Sequence, residues 1–166
     1  RKNIFIEIDG VELILPPVEQ SVSDIYRVGE RIKVYVLSVE KTSKFPKILI
    51  SRRNEGLLRK LFEIEIPEIT SGIIEIKSVA REAGSRAKVA VYSAVPNIDT
   101  IGACIGQKGA RIKNIVDELN GERIDIVEWK PVVEEFVSAV LSPAVVESVT
   151  ILEDGTARVL VEPSQL

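Results

Sequence analysis

Four adjacent residues, Gly106, Gln107, Lys108 and Gly109, are candidates for contact with an anion. An apolar segment, 101–105, precedes them, and after them apolar residues recur at helical spacing, namely Ile112, Ile115, Val116 and Leu119. The pattern predicts two helices joined by a tight loop. A glycine at each end permits the turn and removes the Cβ atoms that keep another backbone away. The start of the second helix adds free N–H groups and a positive dipole end, and Lys108 adds a mobile charge. A phosphodiester could therefore lie against this loop.

This loop does not match two common phosphate-binding motifs. A Walker loop needs Lys-Ser/Thr after its second glycine, whereas Ala110 follows Gly109. A dinucleotide fingerprint needs Gly-x-Gly-x-x-Gly directly after a strand, and the glycines at 102, 106 and 109 are spaced differently. A Gly-x-x-Gly between two helices, with Ile105 before it and Ile112 after it, resembles the nucleic-acid clamp of KH domains. The tetrapeptide alone is common, so the surroundings must support this interpretation.

The composition limits the classes of function. The chain has 166 residues, no His and a single cysteine, Cys104. A His-based triad or His metal site is excluded, and no internal disulfide can form. We expect Cys104 to be a small buried apolar residue. We also expect no catalytic residues, no metal, no cofactor, no membrane span and a cytoplasmic location. Because the chain lacks Met and begins inside a predicted strand, we expect a fragment of a longer protein.

The charge is unevenly distributed, although the net charge is only −3. Residues 1–76 are balanced, residues 77–113 hold seven basic and two acidic side chains, and residues 114–166 hold three basic and eleven acidic ones. The basic segment contains the glycine loop. This distribution favours a local anion site on an acidic protein, with a merely solvated basic face as the alternative.

Residues 1–53 are predicted to form a small β-barrel. Alternating segments at 3–8 and 11–15 flank Asp9-Gly10, a hairpin signal, and further strands are predicted at 31–39 and 48–52. We expect a first strand to be missing. Candidate contacts of the barrel with a single strand are Phe5, Lys33, Tyr35 and Arg52. Little linker separates the barrel from the next helix, so we expect a rigid connection.

Residues 54–130 are predicted to form a unit of order α-β-β-α-α-β. Asn54 is an N-cap for a helix that ends near Ile66, where Pro67 follows. Strands are expected at 73–79, 88–92 and 123–129, and helices at 100–104 and 110–119. Residues 131–166 repeat the opening α-β-β, with strands at 146–152 and 157–161. We interpret them as the start of a second such unit, cut before its glycine loop; a decorative cap is the alternative.

Several strings together resemble the NusA family of bacterial transcription factors. They include Ile-Glu-Ile-Pro-Glu-Ile at 64–69, Ile-Gly-Ala-Cys-Ile-Gly-x-x-Gly-Ala-Arg-Ile at 101–112 and Leu-Asn-Gly-Glu-Arg-Ile-Asp-Ile-Val-Glu-Trp at 119–129. The string Tyr-Arg-Val-Gly-Glu-Arg-Ile-Lys-Val-Tyr-Val at 26–36 is similar to that family's S1-motif OB domain. The resemblance implies an α+β multidomain chain: an S1 barrel (1–53), a type II, bacterial KH domain (54–130) and the start of a second KH domain (131–166).

The resemblance also implies a function. A protein of this family binds nascent single-stranded RNA and RNA polymerase, acts with other transcription factors, and modulates pausing, termination and antitermination. We expect a monomer. The RNA-binding residues carried over to this chain are Ile105, Gly106, Gln107, Lys108, Gly109, Ala110, Arg111, Ile112 and Lys113. Phosphates would contact Lys108, Arg111 and Lys113, and bases would face a groove lined by Ile105, Ile112 and Ile126.

Two other functions remain open from the residues alone. One is another S1/KH RNA-binding protein, associated with an exosome or a ribosome. The other is a protein-binding scaffold, in which the acidic C-terminal third faces a basic partner. A requirement for the charges of 77–113 in RNA binding would separate the scaffold from the RNA-binding functions.

Overall fold

The computed structural model describes residues 2–43 and 46–165. The predicted turn at 41–47 lies partly outside these ranges. The strands and helices are β1 Ile4–Ile8, β2 Val11–Leu15, β3 Tyr35–Glu40, β4 Lys47–Ser51, α1 Glu55–Glu65, α2 Pro67–Thr70, β5 Glu75–Glu82, β6 Arg86–Tyr92, α3 Thr100–Ile105, α4 Ala110–Glu118, β7 Arg123–Glu128, α5 Val133–Val140, β8 Val146–Ile151 and β9 Ala157–Val161. The chain is thus of the predicted α+β class.

The N-terminal part consists of two antiparallel hairpins, β1–β2 and β3–β4. The first turns at Asp9 and Gly10, which have φ angles of 49° and 78°, as the Asp-Gly signal predicts. The hairpins pack around a small core of Leu13, Leu15 and Ile50. Among the described residues no strand pairing joins one hairpin to the other, so closure of the predicted barrel stays a prediction.

The central part is a three-stranded sheet in the order β5–β6–β7, covered on one face by helices. Strands β5 and β6 are antiparallel, and β6 and β7 are parallel because the α3–α4 pair crosses between them. The core contains the apolar face of α1, Leu57, Leu58, Leu61 and Phe62, together with Ile115 and Leu119 of α4 and its C-terminal end. The predicted α-β-β-α-α-β order is confirmed.

One element of this unit was not predicted. Pro67 ends α1 as expected, but it also occupies the first position of the short helix α2. Proline is tolerated there because the N–H that it lacks has no partner in a first turn. The short helix places Glu68 and Ile69 against the helices that flank the glycine loop.

The C-terminal part has the predicted helix–strand–strand order. Helix α5 packs against β8 and reaches β7 of the central sheet. Strands β8 and β9 form an antiparallel hairpin around the turn at 153–156. The assignment of this part to a second KH unit stays a prediction.

Candidate nucleic-acid interface

The glycine loop is a compact turn between α3, which has a side-chain N-cap, and α4, which has none. The side chain of Asp99 accepts a hydrogen bond from the Gly102 N–H at 2.8 Å and so begins α3. Three of the four loop residues have positive φ: Gly106 at 76°, Lys108 at 53° and Gly109 at 75°. Helix α4 begins directly at Ala110. The sequence correctly predicted a helix–loop–helix, but nothing in it indicated that Lys108 would adopt a left-handed conformation.

The two loop glycines are required for different reasons. A Cβ atom on Gly106 would lie 2.7 Å from Cγ of Arg111, so this position is sterically closed. A Cβ atom on Gly109 would meet nothing within 4 Å, so only its positive φ favours glycine. The space over Gly109 is therefore open to an approaching backbone.

Arg111 is held within the protein. Its Nη1 donates to Oε2 of Glu68 at 2.8 Å and to the carbonyl oxygen of Ala103 at 2.7 Å. The side chain is 31% exposed. The sequence assigned this arginine to phosphate contact; in the structure its guanidinium joins α2 to α3.

The basic segment is less positive in space than in sequence. Six of its seven cations have partners within the protein: five pair with a carboxylate, and one bonds to a backbone carbonyl. The pairs are Lys77 with Glu75, Arg81 with Glu122, Arg86 with Asp125, Lys88 with the carbonyl of Val140, Arg111 with Glu68, and Lys113 with Asp117. Lys108 is the one member of the set whose charged group has no partner in the described part of the chain. The net charge of residues 77–113 therefore overstates the local potential.

An apolar groove of about 580 Å³ adjoins the loop. Ile105, Ile112 and Ile126 all line it, as expected, and Ile105 is 37% exposed. Its floor includes β7, an edge strand of the sheet, which pairs only with β6 among the described strands. Ala139, Ser142 and Pro143 line the groove as well, so the C-terminal part contributes one side of it.

The remaining predicted site residues lie at the surface beside the loop. Gln107, Lys108, Ala110 and Lys113 are exposed. The ion pair of Lys113 with Asp117 lies on the open face of α4, where such a pair contributes little stability and can be exchanged for another anion.

Two of the barrel candidates for single-strand contact are unsuited to it. Arg52 is fully buried, so its assignment to nucleic-acid contact is wrong. The ring of Tyr35 packs against Gly56 at the start of α1, where an added Cβ would lie 2.5 Å from it. Lys33 is bound to Glu118 through an ion pair of 3.0 Å. Phe5 remains 60% exposed.

Arg52 instead joins the N-terminal part to α4. Its five N–H groups donate to both carboxylate oxygens of Asp24, to the carbonyls of Lys33 and Glu118, and to Oε1 of Glu118, all at 2.8–2.9 Å. Burial alone would raise the pKa of Asp24, but hydrogen bonds from Arg52 and Asn120 lower it below its ordinary value. Burial likewise opposes ionisation of Glu118, yet hydrogen bonds from Lys33 and Arg52 lower its pKa. The expected rigid connection therefore has a physical basis.

A second buried pair reinforces this junction. Arg81 on β5 donates to both carboxylate oxygens of Glu122 at 2.8 and 2.9 Å, and its side chain is 2% exposed. Arg81 also donates to the carbonyls of residues 52–54, which lead into α1. No local pattern in the sequence indicates either pair, because the partners lie tens of residues apart.

No group of three or more Cys, Asp or Glu side chains is placed to hold a metal ion within residues 2–43 and 46–165. None of the helices in those ranges combines the length and the apolar character needed to cross a bilayer.

The amino-acid sequence of this chain matches those of known proteins. Residues 52–129 match the model of the NusA-like first KH domain. Proteins named transcription termination/antitermination protein NusA match almost the whole chain: 48% identical in Halalkalibacterium halodurans, 47% in Bacillus subtilis and 48% in Thermus thermophilus. This chain belongs to the NusA family.

The match covers 98–99% of this chain but 43–44% of those NusA proteins. The chain therefore spans less than half of the length of the curated NusA relatives that it matches. The family model begins at Arg52 and ends at Trp129, so α1, the glycine loop and the Ile105, Ile112 and Ile126 side of the groove fall within the NusA-like KH domain. The side of the groove formed by Ala139, Ser142 and Pro143 lies beyond it.

Proposed function

We propose that this chain is an RNA-binding part of a NusA-type transcription factor, and that single-stranded RNA binds at the glycine loop. The observation that carries the proposal is the juxtaposition of Lys108, the unpartnered cation on that loop, with the apolar groove lined by Ile105 and Ile112. A phosphate backbone and the bases attached to it need these two environments side by side.

In this proposal the RNA backbone passes over residues 106–109. The open space above Gly109 admits it, and Lys108 meets a phosphate. Lys113 adds a second contact by exchanging Asp117 for a phosphate. About four nucleotides fill the groove, which is the length that a KH clamp holds. Their bases lie on Ile105, Ile112 and Ile126, and their edges meet backbone groups of β7 along the edge that no described strand occupies.

The wider role follows from the relatives' name. We propose that the complete protein acts in the bacterial cytoplasm as a monomer, binds nascent RNA, RNA polymerase and other transcription factors, and modulates pausing, termination and antitermination. No catalytic step, metal or cofactor is part of the proposal. The RNA-binding surface proposed for this chain is the set Ile105 to Lys113, with Arg111 acting inside the protein.

The test is a fluorescence-anisotropy titration of a labelled single-stranded RNA of about eight nucleotides, twice the length that one KH groove holds. Lys108→Gln is compared with Lys60→Gln, which removes the same charge from the exposed face of α1. We expect Lys108→Gln to weaken binding and to reduce the slope of log K against log salt by about 0.7, the value for one lost phosphate contact on a single strand. Lys60→Gln should leave that slope unchanged.

A charge reversal gives a stronger version of the same test. Gln107→Asp combined with Lys108→Asp places two negative charges where the phosphates should lie, on an exposed loop where folding should survive. Binding should be lost while the circular dichroism spectrum is retained. Equal binding by this variant and the unsubstituted chain would contradict the proposal and direct attention to the N-terminal part or to a protein partner.

A further inference from the structure

Arg111 sits at the joint of the helix–loop–helix and touches three parts of it. Its Nη1 lies 2.7 Å from the carbonyl oxygen of Ala103 in the last turn of α3. Its methylene carbons fill the space beside Gly106, where a Cβ would come within 2.7 Å of Cγ. The side chain itself belongs to the first turn of α4. One arginine therefore fixes the end of the first helix, the first glycine of the loop and the start of the second helix relative to one another.

The contact with Ala103 caps a helix end. The last carbonyl groups of a helix have no partner in the helix, and a cationic donor satisfies them and complements the negative end of the dipole. An arginine side chain has several rotatable bonds, so it keeps this orientation only if a second group restrains it. Glu68 supplies that restraint through a charge-assisted hydrogen bond of 2.8 Å to the same Nη1.

Glu68 is itself firmly placed. It lies in α2, the helix that Pro67 begins, and its carbonyl accepts a hydrogen bond from Ile74 N at 2.9 Å. Its neighbour Ile69 packs against the core. One helical turn away, Asn114 of α4 donates to Oε2 of Glu65 at 2.9 Å, so the corner between α1 and α2 holds α4 at two successive turns.

We propose that Glu68 is a positioning residue for RNA binding: by holding Arg111 against the end of α3, it fixes the shape of the glycine loop that receives the RNA backbone. The inference rests on the proposed function and assigns a role in it to an acidic residue outside the loop. Glu68 contacts no RNA in this arrangement and acts through Arg111.

The direction in which Glu68→Ala changes the RNA affinity separates a positioning role from a purely electrostatic one. Removing an acidic side chain near a polyanion removes repulsion, so a purely electrostatic role of Glu68 predicts that Glu68→Ala binds RNA more tightly. Glu68→Ala also releases Arg111, whose freed charge would then meet a phosphate and steepen the dependence of RNA affinity on salt. Positioning predicts the opposite: weaker binding, because the loop samples conformations that do not fit the RNA backbone, with the salt dependence unchanged.

The experiment compares four versions of the chain: unsubstituted, Glu68→Ala, Glu68→Gln and Glu63→Ala. Glu63 is the control, because it is a carboxylate on α1 whose side chain pairs with the exposed Lys60 and with no other cation among residues 2–43 and 46–165. Each version is titrated with the labelled single-stranded RNA at several salt concentrations. The order of residues 106–109 is measured separately, without RNA, by ¹⁵N relaxation.

We expect Glu68→Ala to bind roughly tenfold more weakly, as for loss of one charge-assisted hydrogen bond, with an unchanged salt slope and lower order parameters in the loop. Glu68→Gln keeps an acceptor for Arg111 and should recover most of both properties. Glu63→Ala should match the unsubstituted chain or bind slightly more tightly.

Two results would overturn the inference: tighter binding by Glu68→Ala with a steeper salt slope, or loop order parameters equal to those of the unsubstituted chain. If the unsubstituted chain itself does not bind the RNA, the proposed function fails. The relaxation data then still decide whether Glu68 orders the loop.

Discussion

Replacing Arg52 by methionine should strongly destabilise the chain. Methionine approximates the length of the arginine stem but supplies none of the five N–H donors. Asp24, whose side chain is 2% exposed, would keep its charge, with the side chains of Tyr26 and Asn120 as its remaining hydrogen-bond partners in the described part of the chain. Removing one member of a buried ion pair costs about 3–5 kcal/mol, because the other charge is left uncompensated.

The assay is urea unfolding followed by circular dichroism and by the fluorescence of Trp129, the single tryptophan. With a denaturant dependence of about 2 kcal/mol per molar urea, the unfolding midpoint should fall by about 2 M. Arg53→Met is the matched control, since Arg53 is the exposed neighbour in sequence, and its midpoint should stay within about 0.3 M of the original.

A second substitution tests the cause. Adding Asp24→Asn to Arg52→Met removes the stranded charge, so the double variant should be more stable than the two separate effects predict. Two results would show that Arg52→Met leaves no uncompensated buried charge. One is a midpoint shift no larger than that of Arg53→Met. The other is simple addition of the stability changes caused by Arg52→Met and Asp24→Asn.

Three further outcomes are expected. The pKa values of Asp24 and Glu118 are lowered in the folded chain, so their ionised forms stabilise the fold fully above the ordinary pKa values of 3.8 and 4.5. This stabilisation is lost as the pH falls through the lowered pKa values. The urea midpoint should therefore fall less between about pH 5 and pH 3 in Arg52→Met than in the unsubstituted chain. Burial, aided by the charge of Glu68, raises the pKa of Cys104 to about 11, so at about pH 8 its thiol should react with a disulfide reagent only after unfolding; rapid reaction in the folded state would contradict its placement. Gly109→Ala should lower the free energy of unfolding only by the strain of a left-handed residue, about 1–2 kcal/mol. Gly106→Ala should lower it further, because the added Cβ also displaces Arg111. Equal thermal stability of the two variants would refute this steric distinction.

The elements that were predicted well are those with local determinants. Asn54 caps α1 through its own side chain, which accepts from Gly56 N at 2.8 Å, and the apolar face of that helix repeats at regular spacing. Asp9-Gly10 and Asn120-Gly121 adopt positive φ angles, which these residue types tolerate. Such signals act over a few residues and are visible in the chain itself.

The start of β3 shows why other boundaries were missed. Alternation predicted a strand from Arg31, but β3 begins at Tyr35. The backbone N–H of Lys33 donates to Glu118 at 3.0 Å, and its carbonyl accepts from Arg52 at 2.8 Å. Both backbone groups of Lys33 therefore bond to the side chains of Glu118 and Arg52 and not to a neighbouring strand. The partners lie 85 and 19 residues away, beyond the reach of any local pattern.

The charge count along the sequence overstates the local potential for a related reason. The sequence placed seven cations beside the glycine loop, and the fold brings carboxylates from outside that segment to most of them, including Glu68, Glu75 and Glu122. Counting charges along the chain measures composition, whereas a binding potential depends on which charges remain unpaired. Lys108 stays the proposed phosphate contact because its charge has no partner in the described part of the chain, whereas the guanidinium of Arg111 pairs with Glu68.

Binding of single-stranded RNA at the glycine loop and its groove is tested most directly by an NMR titration of ¹⁵N-labelled chain with unlabelled RNA of about eight nucleotides. We expect the amide shift changes to concentrate at residues 105–113 and along β7. Shift changes confined to another surface, such as the groove between β1 and residues 26–32, would contradict this placement of the RNA.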